Sequence, residues 1–336
     1  MSWNGVNSTP FNIANGVRQG AVLSPALFNI YIDELFTELS TSGYGCKIQN
    51  LYFGCFGYAD DIALVAPCRE ALQFMINICE KFFDHHGIKI STDPDVKKTK
   101  TKVLVYGANA DLTPLVLGTK QLPYVSSWQH LGHTMSTDES YLEDMNARRQ
   151  QFIGKFYSLQ QDLGEQDPSV MFTLIRVYLL HMYGCVLWDI HDDGMSKLWT
   201  AWRKLLRNVF NLPLTTHSYL LTDLINYDHI KKLIIKRFIK FGKIIEESHD
   251  PHIQCLHRCQ STDWRSVYGR NVMKTCREGN VASLRDVDIT NVQVDPVPPG
   301  EEWRIGLLSN LLQERENPQH LNSDQVMEMM ALVCSS

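Results

Sequence analysis

The sequence predicts an α+β fold. Short antiparallel strands and packed helices occupy residues 1–137, helices occupy 138–245, and a weakly patterned region fills 246–336. Three observations carry this. Apolar residues recur at helical spacing in residues 23–39 and 70–86. Between those segments, two apolar runs flank the turn Gly57-Tyr58-Ala59-Asp60-Asp61, which is a hairpin pattern. After Asp138, helical periodicity dominates as far as Lys243.

Each element has a local reason. Asn4-Gly5 reads as a tight turn, and residues 11–13 alternate like a short strand. A domain rarely opens inside a hairpin, so the chain is expected to be the back part of something longer. Ser24-Pro25 predicts a helix start, with Ser24 as N-cap and Pro25 in the first turn. Leu27, Ile30, Tyr31, Leu35 and Leu39 follow at helical spacing, and Gly43 and Gly45 end the segment. Residues 51–56 and 62–66 are the strands of the hairpin. Leu72, Met75, Ile76, Cys79, Phe82 and Phe83 mark a second helix. Residues 88–90 and 102–106 read as strands, and 122–135 as another hairpin. The later helices break at 164–168, 192–194 and 212–216, and the Pro-rich stretch 295–300 is a loop or linker.

Composition narrows the function classes. The 336 residues are 44% hydrophobic and 21% charged, which excludes a disordered, collagen-like or coiled-coil chain. No run of eighteen uncharged apolar residues occurs, so no membrane partner is expected. The first residues lack the basic and apolar parts of a secretory signal. Nine cysteines, odd in number and scattered, suit reduced thiols in an intracellular protein, nuclear or cytoplasmic. With a net charge of -5, nucleic-acid binding would need a local basic surface.

The strongest chemical signal is Tyr58-Ala59-Asp60-Asp61. Two carboxylates about 4 Å apart repel by about 4 kcal/mol at an effective dielectric of about 20. A rigid hairpin bearing both is expected to neutralise them with a hard divalent cation, and Asp60 is the firmer ligand. Oxygen-only donors suit Mg2+, which leaves room for phosphates. Adjacent Asp residues are also good turn formers, a reading that stands beside the first. Upstream, Arg18, Gln19 and Gly20 lie in a turn that opens a helix. Gly20 permits close backbone approach, and Arg18 and Gln19 can hydrogen-bond phosphate, sugar or base edges.

Residues 16–31 followed by Tyr58-Ala59-Asp60-Asp61 closely resemble the second and third palm motifs of reverse transcriptases, in the dialect of non-LTR, LINE-type retrotransposons. Residues 87–107 are similar to the fourth palm motif, and Trp128-Gln129-His130-Leu131-Gly132-His133 to the primer-grip turn. Residues 199–221 resemble the thumb of these elements. The resemblance covers about the first 135 residues. It implies a partial right-hand polymerase palm followed by an α-helical thumb. It also implies Mg2+-dependent transfer of deoxynucleotides, with Mn2+ as a substitute, to a DNA primer 3′-hydroxyl on an RNA template. On this reading Asp60 and Asp61 are the catalytic, metal-holding pair. Lys100, with Lys102 as its rival, is the proton donor to the leaving pyrophosphate. Arg18, Gln19, Gly20, Tyr58 and Ala59 face nucleotide, template or primer end, and His130, Leu131 and Gly132 support the primer.

One departure stands out. The family's first palm motif supplies another catalytic Asp, expected upstream of Gly16, where the fifteen residues present include no Asp or Glu. The expectation is a fragment lacking the N-terminal half of its polyprotein, silent alone, with a strand edge and an apolar face uncovered. The alternative is a non-catalytic nucleic-acid-binding remnant.

Two further clusters matter. Residues 196–243 hold ten Lys or Arg against two acids. Arg203, Lys204, Arg207, Lys232, Lys236 and Lys240 are candidates for the nucleic-acid backbone; a solvated amphipathic helix is the plainer reading. His249, His252, Cys255, His257, Cys259 and Cys276 form a loose cluster, but their spacing does not match a zinc knuckle.

Overall fold

The computed structural model describes residues 2–9, 20–93, 95–96, 98–107, 112–164, 166–225, 227–292, 294, 298–316 and 323–334. They fall into two units, Met1–Leu131 and Gly132–Ser336.

In the first unit, β1 (Ser2–Trp3) and β2 (Val6–Asn7) pair around Asn4 and Gly5, whose φ values of +48° and +80° make the expected Asn-Gly turn. The strand expected at 11–13 lies outside the described residues. α1 (Ser24–Thr41) starts on the Pro at its first turn. Ser24 is not its N-cap: Leu23 holds that position in helical conformation, with no side-chain cap bond. A proline preset near φ -65° is enough to open the helix there. Gly43 and Gly45, at φ +86° and +100°, end the segment.

β3 (Lys47–Ile48) pairs antiparallel with β4 (Leu51–Tyr52), and β5 (Cys55–Tyr58) with β6 (Asp61–Leu64). A Val65 N–H to Gly54 carbonyl bond of 2.7 Å carries the second hairpin one residue further. Two-stranded hairpins are marginal alone. This one is held because α2 (Arg69–His85) and α1 form a seam beneath it. Met75, Cys79, Phe82 and Phe83 meet Leu35 and Leu39, and Cys55, Ile62 and Leu64 pack onto the same cluster. Each fully buried side chain there contributes about 1.5–3 kcal/mol.

The strands expected at 88–90 and 102–106 do not form. Only Val103 pairs, in a single parallel bridge with Tyr124. Val103 is buried against Ile76, Leu115 and Leu122. Packing satisfies that segment, and its lysine-rich surroundings build no ladder. A small hairpin of β7 (Val116–Leu117) and β8 (Lys120–Gln121), not foreseen, lies beside it. β9 (Ser127–His130) closes the unit. Pairing among these named strands is antiparallel, in two-stranded sheets.

The second unit begins with β10 (His133–Ser136), and its other named elements among the described residues are helical. α3 (Leu142–Leu163) ends at Gly164, φ +68°. α4 (Pro168–Tyr178) starts where Asp167 accepts hydrogen bonds from the Ser169 and Val170 N–H groups at 2.8 and 3.3 Å. α5 (Ser196–Val209), α6 (Ser218–Leu224) and α7 (Ile230–Glu247) follow, separated near the expected breaks.

Beyond Glu246, where only a weak pattern is legible, four more helices form: α8 (Pro251–Gln260), α9 (Val267–Gly279), α10 (Glu302–Glu316) and α11 (Ser323–Cys334). Caps start two of them, Asp250 on α8 and Ser266 on α9. Leu308 and Leu311 of α10 and Val326 and Met330 of α11 join the same core as Phe152, Trp202 and Phe238. Tertiary burial supplies what their sequence periodicity does not announce.

One charge is buried at the start of this unit. Asp144 on α3 is 1% exposed. It accepts from the Thr134 N–H at 3.0 Å and the Trp188 indole N–H at 2.8 Å, and lies 3.0 Å from His133 Nδ1. Burial pushes this carboxyl up, but the hydrogen bonds from His133, Thr134 and Trp188 outweigh it and hold it below the usual carboxylate range. A carboxyl depressed in the fold stabilises it above its unfolded value and loses that contribution as pH falls through the folded value.

Two outcomes follow from this packing. Asp144→Ala is expected to destabilise the chain by about 3 kcal/mol, read by denaturant unfolding, because it strands buried donors. Gly57→Ala is expected to cost about 1–3 kcal/mol in the same measurement, since a Cβ at Gly57 would overlap the Phe36 ring of α1. An unchanged midpoint for either variant would contradict the contact assigned to it.

Candidate functional site

The paired acids occupy the tip of the β5–β6 hairpin. Tyr58 and Asp61 are cross-strand partners, so Ala59 and Asp60 form a two-residue turn. Ala59 stands at φ +52°, a left-handed conformation that costs a side-chain-bearing residue about 1 kcal/mol. Strain of this kind concentrates where a loop must present particular groups. Tyr58 is 68% exposed, and Ala59, Asp60 and Asp61 are exposed beside it. Asp60 belongs to the turn and Asp61 to the first position of β6. Below them, Gly57 lies against Phe36, so the tip is carried directly on α1.

Among the other predicted residues, Gly20 is exposed at φ +82° ahead of α1, whereas Arg18 and Gln19 lie outside the described residues. Val22 and Leu23 ahead of α1 and Leu27 and Ile30 on it are exposed. Lys100 is exposed on a bend. Its rival Lys102 is engaged, with its ammonium 4.0 Å from the centre of the Trp128 ring. His130 ends β9, and Leu131 and Gly132 both take left-handed φ values, +47° and +75°, the signature of a tight hairpin turn.

Within the second unit, the far side of that turn is anchored by residues the sequence reading missed. Arg148 donates to the Gly132 carbonyl, and its guanidinium lies 5.5 Å from the Tyr183 ring centre. Asp144 holds His133 and Thr134. Glu143 and Asp144 both stand in the first turn of α3, where acids normally signal a favourable dipole contact, which masks the burial of Asp144. The flanking buried Met145 was the available hint.

The basic segment divides. Lys232 and Lys236 both pair with Asp228, at 3.2 and 2.5 Å. Burial pushes the Asp228 carboxyl up, and the two ammonium groups outweigh it and hold it low. Arg207 donates to the Thr216 carbonyl, Arg237 to that of Leu180 and Lys243 to that of Val287. Lys204 and Lys240 are exposed and Arg203 is half-buried. Trp199 and Trp202 pack in the core. Among the His and Cys residues of the tail, buried Cys255 touches exposed Cys259, and His257 Nδ1 lies 3.1 Å from the Tyr268 hydroxyl. Among the described residues, no three His, Cys, Asp or Glu side chains gather at a metal-sized site.

Residues 1–135 match the family described as reverse transcriptase (RNA-dependent DNA polymerase). The chain is 31% identical over 140 residues to the retrovirus-related Pol polyprotein of the type-2 retrotransposable element R2DM from Drosophila melanogaster, a match covering 39% of this chain and 13% of that protein. It is 30% identical over 131 residues to the Pol polyprotein of the type-1 element R2 from Nasonia vitripennis, covering 35% and 12%. A Pol polyprotein of R2 from Popillia japonica is 48% identical over 59 residues, 16% of this chain and 9% of that protein. The matches thus span about an eighth or less of those polyproteins. Residues 1–135 are thus similar to reverse transcriptases, and the matched relatives are Pol polyproteins of R2 retrotransposable elements.

Proposed function

We propose that this chain carries the metal-holding hairpin and primer-grip turn of an RNA-directed DNA polymerase, with the helices of residues 138–245 as the thumb. The observation that supports this best is the exposed Asp60–Asp61 pair on a strained turn, braced by α1. Two adjacent oxygen donors fit a hard divalent ion that draws its remaining ligands from water and phosphate. Magnesium bound there would stabilise the charge that develops on a transferring phosphoryl group.

The chain's own groups have distinct tasks in this reading. Asp60 and Asp61 hold the ion. Tyr58, Ala59 and Gly20 border the deoxynucleotide triphosphate and primer end, and exposed Lys100 stands as proton donor to pyrophosphate. The turn of His130, Leu131 and Gly132 steadies the primer 3′ end, with an RNA template opposite. Positioning of reacting groups supplies up to about 7–11 kcal/mol of such a barrier. Two carboxylates without a third acid beside them among the described residues give a weak, loosely placed ion. The isolated chain is therefore silent in catalysis while still able to contact nucleic acid.

Purified chain with primed template, deoxynucleotides and Mg2+ or Mn2+ is expected to yield no templated extension; robust synthesis would refute the silence. Mn2+ binding, followed by electron paramagnetic resonance, tests the site itself. Weak binding is expected for the native chain, with a loss of fivefold or more in Asp60→Asn, on the order of the 1 kcal/mol carried by a charge-assisted contact. Equal Mn2+ binding by both proteins would remove the paired acids from the reading.

A further inference from the structure

α8 carries two cysteines one helical turn apart, Cys255 and Cys259. Residues four apart share a helix face, with Cβ atoms about 5–6 Å apart. Cys255 is 2% exposed and Cys259 is exposed, so the pair runs from the packed side of the helix out to water. The thiols touch, the Cys255 S–H donating to the Cys259 sulfur. The helix keeps them together. Asp250 caps α8 by accepting the His252 and Ile253 N–H groups at 2.8 and 3.1 Å. The Gln254 amide donates to the Ile245 and Ser248 carbonyls at 3.1 and 2.8 Å, tying α8 to the end of α7. Past the pair, the Ser261 N–H donates to the His257 carbonyl at 2.9 Å and the Ser266 hydroxyl to that of Gln260 at 3.0 Å. Little ordering therefore remains to be lost when something joins the two sulfurs.

Distance decides what that something is. A direct S–S bond wants Cβ atoms about 3.5–4.5 Å apart, closer than an intact helical turn brings them. One ion between the sulfurs, with metal–thiolate bonds of about 2.3 Å, spans sulfurs up to about 4.6 Å apart and leaves the helix whole. The donor set then decides which ion. Zinc takes four ligands, but among the described residues no third His, Cys, Asp or Glu gathers with the pair. His252, one turn earlier, lies 3.6 Å from Asp250. Two thiolates without further donors suit a soft ion of low coordination number, and Cu(I) is such an ion. Burial and the contact with Cys259 push the Cys255 thiol up, while the Arg258 guanidinium pulls it down. That same guanidinium offsets the single negative charge of two thiolates around a monovalent cation.

We propose that Cys255 and Cys259 form a two-thiolate site for a soft, thiol-seeking ion, with Cu(I) as its type. Two thiols and one Cu(I) give a bis-thiolate complex of charge -1 and two free protons, with no change of oxidation state. Apparent affinity therefore rises with pH, by up to about a hundredfold per unit while both thiols are protonated. The site is separate from the Asp60–Asp61 hairpin and does not depend on the polymerase reading.

The test uses reduced full-length chain, titrated with Cu(I) without oxygen in competition with bicinchoninate, whose coloured complex reports the copper the protein does not hold. The chain has nine cysteines, so the difference between variants is read. Cys259→Ser, an exposed change that leaves the fold intact, is expected to hold one equivalent of Cu(I) fewer than the native chain, and Cys255→Ser to match it. Phenylarsine oxide, which joins two neighbouring thiols to one arsenic with loss of water, should bridge Cys255 and Cys259, as located by mass spectrometry of proteolytic peptides. Cu(I) bound first should block that bridge, and Zn2+ at the same concentration should not. Unchanged Cu(I) stoichiometry in Cys259→Ser, no arsenic across the pair in the native chain, or equal protection by Zn2+ would each overturn the proposal. None of these outcomes bears on Mn2+ at the hairpin, so either site can fail alone.

Discussion

The apolar seam between α1 and α2 governs the first unit. Leu35 and Leu39 on one helix meet Met75, Cys79, Phe82 and Phe83 on the other, and the inner residues of the β5–β6 hairpin close over them. A two-stranded hairpin has too little buried surface to stand alone. Fixed onto the seam through Cys55, Ile62, Leu64 and the Gly57–Phe36 contact, it can afford two adjacent carboxylates and a left-handed alanine at its free end. Position and charge are separated along one hairpin: apolar residues fix its base, and water solvates its tip.

The second unit solves a different electrostatic problem. Its one fully buried acid in α3, Asp144, is compensated by His133, Thr134 and Trp188, so the charge ties β10 to the helical body. Its cations are used unevenly. Arg207, Arg237 and Lys243 spend their donors on carbonyls, and Lys232 and Lys236 share Asp228. The local excess of positive charge in residues 196–243 is therefore smaller in effect than its count suggests. The cations that remain in water, such as Lys204, Lys240, Lys274 and Arg277, are spread over several helices.

Much of the fold was legible wherever a local rule sufficed. Asn4-Gly5 encoded its turn, residues 70–86 their helix, and the runs 51–56 and 62–66 a hairpin, although Leu51 and Tyr52 pair with β3 instead of extending β5, because turn chemistry and hydrophobic period act over a few neighbours. The readings failed where the deciding interaction was distant. Val103 resembled the middle of a strand but makes one bridge and packs on Ile76 and Leu115. α10 and α11 were invisible as helices because they are stabilised by packing on each other and, through α10, on α6.

By itself the sequence carried the resemblance: Asp60 and Asp61 between apolar strands, preceded by the Gly-bracketed turn of residues 16–20, lie in the stretch of residues 1–135 that matches reverse transcriptases. Only the tertiary structure decided which charges face water. Whether Lys102 is free or lies on Trp128, whether Asp144 caps a helix or is buried under Trp188, and whether Trp264 joins a core or stands outside it depend on neighbours brought near by folding. Solvation is a property of the packed surface, and no local pattern encodes it.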